Sequence, residues 1–183
     1  MTYEPVFPAE LQPIASVLLP ALAVGEQWPA HQGFIVRVQS ERLSAPYRVY
    51  YEPARLRATI QSSSKEVRAL ALCLGTRHWD GFVREECIRQ LVGEDHPWVV
   101  PFAVQLIGEY VLEIIQVVAA GLGRVNAVAY GEFVHENPDF MATTRRRVTS
   151  YWNCYYRSRF PEREAYPGFV ALEEVEGMRE RAL

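Results

Sequence analysis

From Trp98 to Leu122 the chain reads WVVPFAVQLIGEYVLEIIQVVAAGL, apolar except for Gln105, Glu109, Glu113 and Gln116. At about 100° per residue these four side chains fall within an arc of about 80°, a thin polar stripe on a helix that is apolar everywhere else. Such a helix has to be buried, so the fold is expected to wrap around it. The stretch is long enough to span a bilayer, where about 20 apolar residues suffice. Glu109 and Glu113 sit near its middle, however, where an acidic residue costs about 2.5–3.5 kcal/mol on insertion, and no Lys/Arg cluster flanks either end. The expectation is therefore a buried central helix of a soluble fold, without a membrane partner. Met1–Glu10 has no basic region, and prolines interrupt the apolar run Ile14–Val24, so no secretory signal is read.

A chain of 183 residues suits one domain with a real core. The expected division is an N-terminal segment (1–52), a helical core (53–160) and a C-terminal tail (161–183). The net charge of −3 speaks against a general nucleic-acid binder, which is normally basic. Cys73, Cys87 and Cys154 are odd in number and form no CxxC. They read as small buried residues of a reducing, cytoplasmic compartment, and not as a disulfide framework or a zinc site.

Local patterns supply the elements. Leu11–Leu22 reads as a short helix broken by Pro13 and Pro20. Phe34–Val38 and Tyr47–Tyr51 are β-branched and aromatic runs on either side of a turn-rich Ser40–Pro46, which predicts a small hairpin. Pro53 opens a helix to about Gln61, and Ser62–Ser64 supplies a break and a cap for a helix from Glu66 to Leu74. Asp80 stands as an N-cap. Val83, Cys87, Ile88 and Leu91 then follow at helical spacing, with Arg84, Glu85, Glu86, Arg89 and Gln90 assigned to the wet side. Asn137-Pro138-Asp139 starts another helix, with Phe140 or Met141, Thr144, Val148, Trp152 and Tyr155 on one face and Pro161 as its stop. The charged tail from Glu162 carries a packed anchor at Tyr166–Leu172. The fold class is mainly α, a bundle around a buried central helix with a small N-terminal β-hairpin.

Asp80-Gly81-Phe82-Val83-Arg84-Glu85-Glu86-Cys87-Ile88-Arg89-Gln90-Leu91 resembles the inner helix of a HEAT-like repeat. Val100-Pro101-Phe102-Ala103-Val104-Gln105-Leu106-Ile107-Gly108 resembles the proline-containing outer helix, and Tyr110-Val111-Leu112-Glu113 the opening of the next inner one. The resemblance covers about a third of the chain and departs from the pattern at Leu112, where an Arg is expected. The interval from Val83 to Val111 is also shorter than the usual period of about 40 residues. It implies a stacked-helix scaffold with a partner-binding surface. The polar stripe stays in phase from Gln105 across Gly108 to Glu109, which favours one unbroken helix over the two that a repeat requires.

Three groups of residues are candidates for chemistry. Glu109 and Glu113, one turn apart, resemble the ligands of carboxylate-bridged bundles. Glu132-Phe133-Val134-His135 supplies one Glu-x-x-His, but the second that such a site needs is missing. The alternative is that the stripe meets water or pairs with arginines such as Arg84 or Arg145. His78 and Asp80 could form an acid/base pair, although Asp80 is already explained as a cap and no nucleophile motif or phosphate loop accompanies them. Residues 143–163 interleave Arg145, Arg146, Arg147, Arg157 and Arg159 with Tyr151, Trp152, Tyr155, Tyr156 and Phe160. Arginine with aromatics suits protein-interface hot spots as well as single strands, and the acidic total favours protein.

The reading is a non-enzymatic protein-interaction module, of the adaptor or bacterial immunity and antitoxin kind, binding another protein through Arg145, Arg146, Tyr156, Arg157 and Arg159. No catalytic residue, metal or cofactor is assigned. The rival is a small metal-dependent or acid/base enzyme using Glu109 and Glu113 with His135 or His78.

Overall fold

In the computed structural model, which describes residues 4–23 and 33–181, the apolar stretch is not one helix but two. A short turn at Pro97–Val99 leads into the helix Val100–Ile107, and a second helix runs Leu112–Gly121. Gly108 ends the first helix. A Cβ there would lie 3.3 Å from Cδ of Arg147, so the backbone approaches that arginine closely. Val111 is extended, with φ −85° and ψ 110°, and the chain re-aims before the second helix starts. The expected continuous stripe is thus an accident of phase across a break. Gln105 and Glu109 are buried as predicted, whereas Glu113 and Gln116 face solvent on the second helix.

The described residues form nine α-helices and one two-stranded sheet. These are α1 (Gln12–Leu22), β1 (Gly33–Val38), β2 (Glu41–Pro46), α2 (Pro53–Ser62), α3 (Lys65–Gly75), α4 (Gly81–Leu91), α5 (Val100–Ile107), α6 (Leu112–Gly121), α7 (Ala127–Glu136), α8 (Pro138–Tyr151) and α9 (Pro167–Met178). Consecutive helices α2, α3 and α4 pack in turn, α4 packs on α6, and α5 packs on both α6 and α7. The expected tail is a core element, because α9 covers α6 and α7 and buries Phe169, Leu172, Val175 and Met178. Residues 1–3 of the N-terminal segment, with 24–32, lie outside the described part, as do 182 and 183 of the tail.

The local predictions fare unevenly. Pro13 sits in the first turn of α1, where its missing N–H costs nothing, and Pro20 falls in its last turn, so α1 is not broken. Glu52 caps α2 through Ala54 N–H and Arg55 N–H. Asp80 caps α4 through Phe82 N–H at 2.8 Å. The hairpin exists, but its second strand is Glu41–Pro46 and not Tyr47–Tyr51. Gln39 and Ser40, with φ of 50° and 69°, form a two-residue turn that pairs Val38 with Glu41. Gln-Ser lacks the Asn-Gly signature of such turns, so the sequence pattern does not mark the turn and points instead to the later Ser40–Pro46. Phe34, Val36 and Val38 point into the core, and Asn137 clamps the strand edge, accepting from Arg37 N–H at 2.7 Å and donating to Arg37 C=O at 2.7 Å.

Tyr47–Tyr51 does something else. Val49 N–H donates to Arg77 C=O at 2.9 Å and Trp79 N–H to Val49 C=O at 3.0 Å, an isolated parallel bridge. This bridge lays the segment after the hairpin along the loop between α3 and α4, with the α5–α6 break close by.

No single helix among the described residues is long and apolar enough to cross a membrane; α6 and α7 reach that length only as a pair bent by 117°.

Candidate functional site

Three stretches of chain meet at one buried carboxylate. Glu109, at the α5–α6 break, is 5% exposed. Arg48, carried in by the Val49 bridge, places Nη2 2.9 Å from Oε1 and 3.0 Å from Oε2 of that carboxylate. Arg77, which follows α3, has Nη2 3.9 Å from Oε1, and Arg84 on α4 has Nη2 3.8 Å from Oε2. The pairing of the stripe with Arg84 is as expected. Arg145, the other arginine considered, instead pairs with Glu176 on α9.

Each arginine is fixed by its own element. Arg84 Nη1 donates to the carbonyls of His78 at 2.8 Å and Trp79 at 2.9 Å, closing the loop that leads into α4. Arg77 Nε donates to Thr76 Oγ1 at 3.3 Å. Arg48 Nη1 donates to Tyr47 C=O at 2.8 Å. Arg77 and Arg84 are 0% and 1% exposed, so Arg84 does not lie on the wet side of α4 and Arg77 is not loop polarity.

Among the described residues the charges do not balance. Three guanidiniums share one carboxylate, and Arg147 stands near enough to act on Arg77 electrostatically. Burial, the larger cause, together with Arg48, Arg84 and Arg147, pushes Arg77 down to about 9 against the pull of Glu109. Burial likewise lowers Arg84. Arg77 Nη1 and Nη2 and Arg84 Nε are buried and make no hydrogen bond to the described residues. Buried donors of this kind are costly unless satisfied.

His78 is also buried. Its Nδ1 accepts from Asp80 N–H at 3.0 Å, which puts the proton on Nε2, donated to Tyr51 C=O at 2.8 Å. Both ring nitrogens are thereby used in holding the loop, so His78 and Asp80 are a structural pair with no free base between them. The expected Glu109–Glu113 pair is likewise split, since one is buried among arginines and the other is exposed. Glu132 and His135 lie on the surface of α7 beside the Gln39–Ser40 turn. Among the described residues no group of three or more His, Cys, Asp or Glu gathers closely enough to hold a metal ion.

Beside the arginine node the surface is aromatic. The predicted face of α8 holds at Met141, Thr144, Val148 and Trp152, all buried, but Tyr155 is 65% exposed. The reason is a π-helical turn over Trp152–Tyr156, which inserts an extra residue into the helical count. Tyr156 takes the inward place, stacking on Tyr166 with ring centroids 5.4 Å apart and donating its hydroxyl to Tyr110 C=O, while Tyr155 turns out. The rings of Tyr110, Tyr151 and Tyr155 follow one another at 6.1 and 6.2 Å. Tyr110 is 52% exposed and directly follows Glu109, so the node and the tyrosine run are neighbours. Trp79 and Phe82, at the start of α4, are 56% and 82% exposed.

The predicted partner residues divide accordingly. Arg146, Arg157 and Arg159 are exposed, and the guanidiniums of the last two lie over Trp152 and Phe160 at 5.4 and 5.5 Å. Arg145 is committed to Glu176, and Tyr156 is half-buried, holding the π turn against Tyr110. Cys73 and Cys87 are buried as expected, but Cys154 is exposed beside Tyr155. Arg48, Arg77, Tyr110, Trp79 and Phe82 were missed as site residues. Only Arg84 carried a local signal, standing four and seven residues before the buried Ile88 and Leu91.

Compared with protein families, characterised proteins and solved structures, the chain has no significant match.

Proposed function

We propose that this chain is a non-enzymatic protein-interaction module of the adaptor or immunity-protein kind, using the tyrosine face on the π turn. The observation that carries the reading is the run of adjacent, partly exposed rings Tyr110, Tyr151 and Tyr155, bordered by the solvent-facing Arg146, Arg157 and Arg159. Tyrosine, tryptophan and arginine are the residue types that carry most binding energy at protein interfaces. Exposed aromatic area of this kind, away from the core, is the usual mark of a contact surface. Its foundation is firm, because beneath it Tyr156 stacks on Tyr166, and Phe169 meets Tyr166 and Trp152 edge-on. The packing of α4 on α6 and of α5 on α7 supports a HEAT-like stack of helix pairs as the scaffold. Three free thiols, one of them exposed, support a reducing, cytoplasmic setting.

The test is affinity capture from the native cell at near-physiological salt, read by mass spectrometry, with wild type, Tyr155→Ala and Arg157→Glu as baits. The expected result is one stoichiometric protein that wild type retains and both variants lose while both stay folded, with melting temperatures within a few degrees of wild type. An identical protein set from all three baits, or none from wild type, would overturn the reading.

A further inference from the structure

Independently of any partner on the tyrosine face, the arginine node invites a second ligand. We infer that Arg48, Arg77 and Arg84 form an anion-binding site for one small oxyanion of the sulfate or phosphate kind, with Glu109 holding the three guanidiniums in place.

The charge count comes first. Among the described residues the node has three guanidiniums and one carboxylate within 4 Å, and Glu109 is the acidic side chain acting on Arg77 while Arg48, Arg84 and Arg147 oppose it. Excess positive charge in a buried place is expensive and selects for a counter-charge.

Donor geometry comes second. Arg77 is 0% exposed, yet both its terminal nitrogens lack a hydrogen bond to the described residues, as does Nε of the 1% exposed Arg84. Two adjacent N–H groups on one planar guanidinium match two oxygens of a single oxyanion, which a halide cannot satisfy in the same way. Glu109 does not serve that role for Arg77, because 3.9 Å is beyond hydrogen-bond length.

Access comes third. Arg48 is the member of the triad open to solvent, its side chain 32% exposed, and it is held by one carboxylate and its own neighbour's carbonyl. Arg48 belongs to neither α3 nor α4, so on this inference the anion enters where Arg48 leaves its contacts with Glu109 and the Tyr47 carbonyl.

The probe is inorganic sulfate, with phosphate in parallel, added to the full chain in Tris chloride at constant ionic strength. Equilibrium dialysis with radiolabelled sulfate gives the stoichiometry, and thermal unfolding gives the linkage. The expected outcome is one sulfate per chain and a saturable rise in Tm of a few degrees at millimolar concentration. Arg48→Met and Arg77→Met should each weaken sulfate at least about tenfold, while Arg157→Met, which removes the same charge from the surface, should bind as wild type does. Arg48→Met keeps the test valid if Arg77→Met does not fold. A rise in Tm that never saturates and is shared by all variants would be a general salt effect and would overturn the site. Equal responses to chloride and sulfate, or no bound sulfate in dialysis, would overturn it as well.

Discussion

Replacing Glu109 by Gln keeps the shape of the side chain and removes the only carboxylate that the described residues bring to the node. The three guanidinium contacts lie between 2.9 and 3.9 Å. At an effective dielectric of about 20, a charge pair at 3–4 Å gains about 4–5 kcal/mol before desolvation is counted. Arg48, a third exposed, is screened and contributes less than its short distance implies. Arg77 and Arg84 have no such relief, because both are buried and both would keep their charge against one another. Removing one partner of a buried pair costs about 3–5 kcal/mol, mostly through the stranded charge. A domain of this size is stable by about 5–15 kcal/mol, so Glu109→Gln should remove between a fifth and nearly all of it. Urea unfolding followed by tryptophan fluorescence measures this directly, as a lower midpoint at unchanged slope. The double variant Glu109→Gln/Arg77→Met should recover at least about 1 kcal/mol of that loss, since it deletes one stranded charge together with its partner. A loss below about 1 kcal/mol in the single variant, with no recovery in the double, would mean that water screens the node and that the reasoning about a dry, charge-imbalanced centre is wrong.

Burial pushes the Cys87 thiol up to about 12, the Cys73 thiol well up, and the phenols of Tyr51, Tyr130 and Tyr166 above their ordinary range. The unfolded chain releases these protons first, so the stability they contribute is whole below about pH 9 and falls as pH rises. The lowered Arg77 and Arg84 act in the opposite sense but are outnumbered. Urea midpoints should therefore fall steadily between pH 9 and 11, and Cys87→Ala should flatten the decline; equal stability at pH 8 and 10.5 would contradict this. Gly121→Ala should cost about 1–3 kcal/mol, seen as a Tm lower by several degrees, because its Cβ would run into Cγ2 of the stiff, branched Val92. Asn137→Ala should cost about 1–3 kcal/mol, since its amide donates to Arg37 and Phe133 carbonyls and accepts from Arg37 N–H. Amide hydrogen exchange should speed up along β1 in that variant, and unchanged protection there would show that the strand does not depend on the clamp.

What the sequence disclosed and what it hid follow from the range of the forces involved. The cap at Asp80, the apolar faces of α4 and α8 and the proline-led start of α2 are decided within one or two turns, and they are legible. The break at Gly108 was hidden because two short helices happened to keep one polar phase, and the hairpin register because Gln39-Ser40 is an unadvertised turn. The π turn is invisible to a count of 3.6, which is why Tyr155 and Tyr156 exchange their expected places. Arg84 is the instructive failure. Its position four residues before Ile88 and seven before Leu91 puts it on the buried face by geometry, and it was assigned to solvent by charge alone. Where periodicity and charge disagree on a helix, the disagreement marks a buried ion that needs a partner from elsewhere in the chain. The two further arginines, Arg48 and Arg77, lie on segments joined by the Val49–His78 bridge, while the partner Glu109 comes from the α5–α6 break; no local pattern announces either contact. The same logic extends to the stranded donors of Arg77: a buried arginine with only a distant carboxylate is a demand for negative charge that the described residues leave partly unmet.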